Sequence, residues 1–216
     1  MFHVKQSVKE VNIGLNVLED AVALYNKHAE RLEEYTDLLL GWNDKINLVS
    51  RNVSRETLKE HIIHSLIPAG MGLLKSHDRW IDTGSGGGLP GIPLAICEGQ
   101  KKWILNDNVR KKMRVAQDII DTMSLENCSV AAKSISLFDL AKGDGIVTKH
   151  AFKVDDLIRL LGKKPWQTIL MWKGAEEALK EVKSVGKNMN VTLYRFEFGK
   201  MNPFYEGKAL LLLKKK

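Results

Sequence analysis

The chain has 216 residues, 44% of them hydrophobic and 27% charged, enough to bury the core of one substantial domain. No run approaches the roughly 20 apolar residues of a membrane helix, and residues 1–10 lack the apolar core of a secretory signal, which points to the cytoplasm. A formal charge of +7 and a pI of about 9.3 suit a polyanionic partner such as nucleic acid.

From 15 to 42 the apolar residues recur at helical spacing. Leu15, Leu18, Val22 and Tyr25 form one stripe, and Leu32, Tyr35, Leu39 and Trp42 another, with Glu30, Arg31, Glu33 and Glu34 on the wet side. Ser54 is placed to cap a helix over 55–66, which Pro68 and Gly70 would close. His61 and His64 share a face of that helix, but no third ligand follows at metal spacing, so no metal is expected and His61 reads as a hydrogen-bonding group.

A strand at 80–82 then leads into a glycine-rich turn, and a helix follows over 93–97, where Pro93 suits a first turn. Further strands are expected at 102–105, 128–131, 145–148 and 168–172. Between the first two, Asn108 would cap a long helix with Val109, Met113, Ala116, Ile120 and Met123 inward. The segments 192–198 and 209–213, around a Gly/Asn/Pro turn, read as a terminal antiparallel pair. Cys97 and Cys128 fit no metal or redox spacing, and Cys97, in an apolar run, reads as a buried inert thiol. Strands alternating with helices give an α/β fold with a doubly wound, mostly parallel sheet.

In such a sheet the glycine turn lies where ligands bind. Residues 86–91 satisfy the dinucleotide pattern G-x-G-x-x-G, while 81–88 (Ile-Asp-Thr-Gly-Ser-Gly-Gly-Gly) fit a turn for S-adenosylmethionine (AdoMet). Two features favour AdoMet. Asp82 would repel a pyrophosphate, but can orient the turn or attract a cationic amino-acid end. The terminal antiparallel pair is not a dehydrogenase feature. Asp107, about twenty residues on, suits ribose hydroxyls in either class.

The turn together with Gly-Leu-Pro-Gly-Ile-Pro-Leu-Ala-Ile at 88–96 resembles the RsmG/GidB family. Trp42-Asn43-Asp44-Lys45-Ile46-Asn47-Leu48, His61-Ile62-Ile63-His64-Ser65-Leu66, Lys149-His150-Ala151-Phe152 and Met171-Trp172-Lys173-Gly174 are similar to its further motifs, in the same order. The resemblance implies a Rossmann-like AdoMet-dependent methyltransferase domain over 59–216 behind an N-terminal helical extension over 1–58. It also implies methyl transfer to N7 of a guanine in small-subunit (16S) ribosomal RNA, with that RNA or the subunit as partner; separately, a monomer is expected.

Gly84, Ser85, Gly86, Gly88 and Leu89 of the turn, with Asp82 and Asp107, are the expected cofactor residues, and the resemblance adds Ile135, Ser136 and His150. Three positions depart from the family pattern. His64 stands for an Asp, His150 for an Arg of the cofactor site, and Ser134-Ile135-Ser136 for an Arg-Val-Glu at the adenine end. They motivate the alternatives of an AdoMet-binding, ribosome-associated protein with lost or retuned activity, or a methyltransferase for another RNA or a small molecule.

Guanine N7 carries a free lone pair, so transfer requires alignment and no general base. No proton-transfer residue is therefore expected. Lys173, ending a strand beside a glycine, reads by spacing as a solvated lysine or a substrate contact, and the resemblance favours contact. Arg110, Lys111, Lys112 and Arg114 read as a solvated helix face.

Overall fold

The computed structural model describes residues 7–50, 52–186 and 188–216. The first six residues, part of the stretch read for a secretory signal, lie outside them. The first element is one the sequence did not disclose. β1 (Val8–Ile13) is an edge strand in which only Ile13 is fully buried. It pairs in parallel with β7 (Met189–Phe196), Val8 opposite Val191 and Ile13 opposite Phe196. An edge needs little apolar surface, so its residues show no clear period.

The helical stretch expected over 15–42 is two helices, α1 (Leu15–Lys27) and α2 (Ala29–Asn43), parted at His28 with φ −115°. Tyr25 donates its hydroxyl proton to Glu33 across the break. Each stripe reaches the core along its own axis: Leu18, Ala21 and Tyr25 from α1, Leu32, Tyr35 and Leu39 from α2. Leu15, at the outer end of α1, is 45% exposed.

α3 (Arg55–Gly70) starts as expected, with the Ser54 hydroxyl accepting from the Thr57 N–H at 3.1 Å. It does not stop at 66 but runs through Pro68. A proline inside a helix removes one N–H and orphans the carbonyl four residues back. That carbonyl belongs to His64, and it accepts the indole N–H of Trp172 at 2.8 Å. A partner from the sheet thus replaces the bond that the proline forfeits.

Beyond α3 come β2 (Arg79–Thr83), α4 (Gly91–Cys97), β3 (Lys102–Asn106), α5 (Arg110–Thr122), β4 (Cys128–Ala131) and β5 (Gly145–Lys149). α6 (Val154–Leu161), β6 (Thr168–Gly174), α7 (Ala175–Glu181), β7 and β8 (Lys208–Lys215) complete the order. Asn108 does not cap α5. The Asp107 carboxylate takes the Val109 N–H at 2.9 Å, and Val109 is 43% exposed where an inward side chain was expected. Cys97 is half-buried and Cys128 buried, both free, with burial pushing both thiols up to about 12.

The eight strands run β1-β7-β8-β6-β5-β2-β3-β4, all pairs parallel except those of β8 with β6 and with β7. Strand alternation gives the sheet two apolar faces. Trp80, Val147, Leu170, Trp172, Leu210 and Leu212 meet α1 to α5, whereas Ile81, Ile146, Ile169, Met171, Leu211 and Leu213 meet α6 and α7. The expected boundary between 58 and 59 falls inside α3.

The His64 ring is fully buried among Phe196, Phe204, Tyr205 and Trp172, and neither ring nitrogen has a partner. Burial, with Lys149, His150, Lys208 and His61 nearby, holds its pKa well below the ordinary 6.5.

Two variants test this region. Trp172→Phe strands the His64 carbonyl and should cost about 1–3 kcal/mol in urea unfolding; an unchanged midpoint would contradict the Pro68 account. His64 contributes its full stability above the unfolded pKa near 6.5 and loses it as pH falls, at up to about 1.4 kcal/mol per pH unit. His64→Phe should remove that share of the acid dependence between pH 6.5 and 5. The same acid slope in both proteins would refute the assignment.

Candidate active site

The strand order reverses between β2 and β5. From β2 the chain moves out to β3 and β4 on one side, and it returns to β5 and β6 on the other. Ligands of doubly wound sheets bind outside the carboxyl ends of the strands at this point, and a cavity of about 900 Å³ opens there. Its floor is the turn after β2, with Thr83, Gly84, Ser85, Gly86, Gly87 and Leu89. Asp107, Lys112, Lys133 and Ile135 line the β3–β4 side, Lys149, His150, Ala151 and Phe152 the β5 side. Leu48, Val49, Val53, Thr57 and His61 close it from the N-terminal segment.

The turn has little room for side chains, as Gly84 and Gly91 show. Gly84 has φ +74°, and a Cβ there would stand 2.4 Å from the Ala151 Cβ. At Gly91 a Cβ would stand 2.3 Å from the Leu105 Cδ2, so α4 packs against β3 only with glycine. The N-terminal helices grip the same turn. Tyr35 donates to the Gly87 carbonyl at 3.0 Å. The buried Asn43 side chain accepts from the Leu48 and Val49 N–H groups at 2.9 and 3.0 Å and donates to the Ser50 carbonyl at 2.9 Å. That anchors the wall facing the turn.

The expected site residues separate into three groups. Gly84, Ser85, Gly86, Leu89, Asp107, Ile135 and His150 line the cavity together. Asp107 accepts from the Gly86 N–H at 3.2 Å and from the Val109 N–H at 2.9 Å, leaving lone pairs on both oxygens. Gly88 and Ser136 do not line it; the Ser136 hydroxyl bonds that of Ser134 at 2.8 Å, and Ser134 is the one at the wall.

Asp82 is also off the cavity. It is fully buried, and its Oδ2 accepts the Gly91 N–H at 2.8 Å. Burial raises its pKa to about 8, against the opposing pull of that bond and of Lys149. It orients the turn and does not line the cavity.

Lys173 is likewise placed elsewhere. It is 5% exposed, and its ammonium bonds Glu181 at 3.0 Å and Glu177 and the Phe152 carbonyl at 3.3 Å, which occupies all three protons. The cation that does reach the cavity on the β5 side is Lys149. It donates to the His61 carbonyl at 2.6 Å and to Ser65 Oγ at 3.1 Å, and burial lowers its pKa to about 7. Its only sequence signal was its place at the end of a strand, in a motif where the neighbouring histidine drew attention.

His150, with φ +56°, sits at the cavity mouth; partial desolvation beside Lys149, Lys208 and Lys173 lowers its pKa to about 4. Burial and Lys149 lower that of His61 to about 3. Both rings are neutral near pH 7. His64 is not at the cavity, and among the described residues no group of three or more His, Cys, Asp or Glu could hold a metal.

A family model described as rRNA small subunit methyltransferase G (GidB) matches residues 28–201. The chain is 38% identical over 122 residues to ribosomal RNA small subunit methyltransferase G of Chlorobium chlorochromatii, covering 56% of this chain and 51%, about half, of that protein. It is 30% identical to the protein of that name from Chlorobium phaeobacteroides, over 72% of this chain and 71% of the relative. To that of Chlorobaculum tepidum it is 28% identical, over 92% of each.

An O-methyltransferase from Bacillus cereus, solved in complex with SAH, shares the fold with a TM-score of 0.57 at 13% identity, over 84% of this chain and 90% of the other. A putative O-methyltransferase from Klebsiella pneumoniae gives 0.55 at 14% identity, over 84% and 90%. The fold is thus that of Rossmann-like methyltransferases with an N-terminal helical extension. With the family model running from the start of α2 through the site to just beyond β7, the chain belongs to the GidB family, the small-subunit rRNA methyltransferases G.

Proposed function

We propose that the chain is an AdoMet-dependent methyltransferase that modifies N7 of a guanine in small-subunit (16S) ribosomal RNA. The observation that carries this reading is the glycine turn at the switch point, open to a cavity on whose rim Asp107 keeps free lone pairs. The residues fit the cofactor. A Cβ at Gly84 would obstruct the cradle, the cavity has the size of a small-molecule site, and Ile135 offers an apolar surface beside Asp107.

In this reading Asp107 accepts the ribose hydroxyls, Ile135 packs on the adenine, and Gly84 and Gly86 let the backbone come close. Ser85 and Leu89 complete the floor. Asp82, Gly88 and Ser136 act from behind it, holding the turn and Ser134. AdoMet supplies an electrophilic methyl group on a sulfonium. Guanine N7 needs no deprotonation, so the protein's task is to align the two and exclude water. His61 and His150, held neutral, add no positive charge beside a cationic donor.

The region from residue 59 onward carries the cofactor core, and the preceding segment supplies the wall over it. The net charge of +7 and the exposed Arg110, Lys111 and Arg114, on the helix whose Lys112 lines the cavity, suit a phosphate-rich partner, the ribosomal RNA or the small subunit. Among the described residues no helix is long and apolar enough to cross a membrane. A monomer acting in the cytoplasm is the simplest form of this proposal.

Titrating AdoMet by calorimetry tests the first half. Saturable binding is expected, weakened on the order of 10- to 100-fold by Asp107→Ala, as for hydrogen bonds to a charged group. Lys173→Met should leave affinity within about twofold while lowering the melting temperature, because it removes the ammonium that pairs with Glu177 and Glu181. No binding at millimolar AdoMet would overturn the proposal.

A further inference from the structure

The residues proposed above for the adenosine half of the cofactor, Asp107 and Ile135, leave the β5 side of the cavity without an assigned task. Asp107 and Ile135 stand on the β3–β4 side of the glycine turn, so a cofactor whose adenosine they held would have the β5 side left for its sulfonium end. There the side chains change character. Phe152 comes close over the turn, its Cε2 3.0 Å from where a Gly84 Cβ would stand. His61 and His150 are neutral. Among the described residues lining this side, Lys149 is the one lysine, with a pKa lowered to about 7.

Lys149 is also fixed in place. Its bonds to the His61 carbonyl and to Ser65 Oγ, at 2.6 and 3.1 Å, tie the amine to α3. With burial lowering its pKa to about 7, part of Lys149 is ammonium near neutral pH, and that form has three protons, of which two are spoken for. A base entering from this side therefore meets an aromatic ring and a single oriented N–H donor. Guanine presents O6 beside N7 on one edge, where adenine presents an amino donor. A fixed donor pairs with O6 and opposes an amino group donor to donor.

We infer that Lys149 is a specificity-determining residue whose remaining Nζ proton is donated to O6 of the acceptor guanine, which holds the N7 edge towards the transferring methyl group. This rests on the guanine-N7 reading above. It places acceptor recognition at the end of β5 rather than at Lys173, whose protons are all used within the fold.

The test is a double-substitution cycle. Native protein and Lys149→Met are compared on RNA carrying the acceptor guanine and on RNA with 2-aminopurine there, which keeps N7 and lacks O6. AdoMet affinity is measured alongside as the control for folding. Lys149→Met should keep AdoMet affinity within about twofold and lose on the order of 10- to 100-fold in kcat/KM on guanine RNA, as for one charge-assisted hydrogen bond. Lys149→Gln, which retains a neutral donor, should recover part of that loss.

The native protein should lose a similar factor on 2-aminopurine RNA, and Lys149→Met should lose almost nothing further. Full activity of Lys149→Met, or an equal 2-aminopurine penalty in both proteins, would overturn the inference. Native protein that binds AdoMet yet methylates no guanine would remove the N7 reading itself, and the role of Lys149 with it.

Discussion

The bond between the buried Asp82 carboxyl and the Gly91 N–H, 2.8 Å long, is the constraint from which the site is built. It joins the end of β2 to the start of α4 and leaves the intervening residues to fold back as a tight turn. Leu105 packs where a Gly91 Cβ would stand, and Ala151 where a Gly84 Cβ would stand. The turn is therefore pressed between β3 on one side and the end of β5 on the other. A charged carboxylate is costly to bury, and burial raises the pKa of Asp82 to about 8. The group serves as a structural acceptor, shielded from the cavity by the turn it holds.

The N-terminal segment is part of this construction. Tyr35 reaches from α2 to the Gly87 carbonyl, and Asn43 fixes the bent stretch from Leu48 to Ser50 against the turn. Trp172 ties α3 to the sheet through the carbonyl that Pro68 leaves open. β1 then adds the segment to the far edge of the sheet through β7. A cavity with a floor from β2 and walls from α3 and β5 follows from these ties.

Much of this was legible in the residues. The glycine turn, Asp107 and the β7–β8 pair carry local signals, since each depends on residue types at fixed spacing. What was not legible depends on contacts between distant segments. Lys149 and Lys173 both end parallel strands in similar sequence contexts. One meets Ser65 and a helix carbonyl beside the cavity, and the other meets Glu177 and Glu181 beneath it. Pro68 reads as a helix stop because its remedy is a tryptophan over a hundred residues away. β1 was hidden because an edge strand with one buried residue needs no apolar pattern, and Asn108 yielded its capping role to the aspartate before it.

The central claim is that this cavity delivers a methyl group to guanine N7 of 16S ribosomal RNA. Borohydride and aniline treatment cleaves RNA at N7-methylguanosine, so 16S RNA from cells lacking this chain should lose one cleavage. Returning the intact chain should restore it, and returning a Gly84→Val chain, with the cradle blocked, should not. A cleavage pattern that is the same with and without the chain would contradict the account.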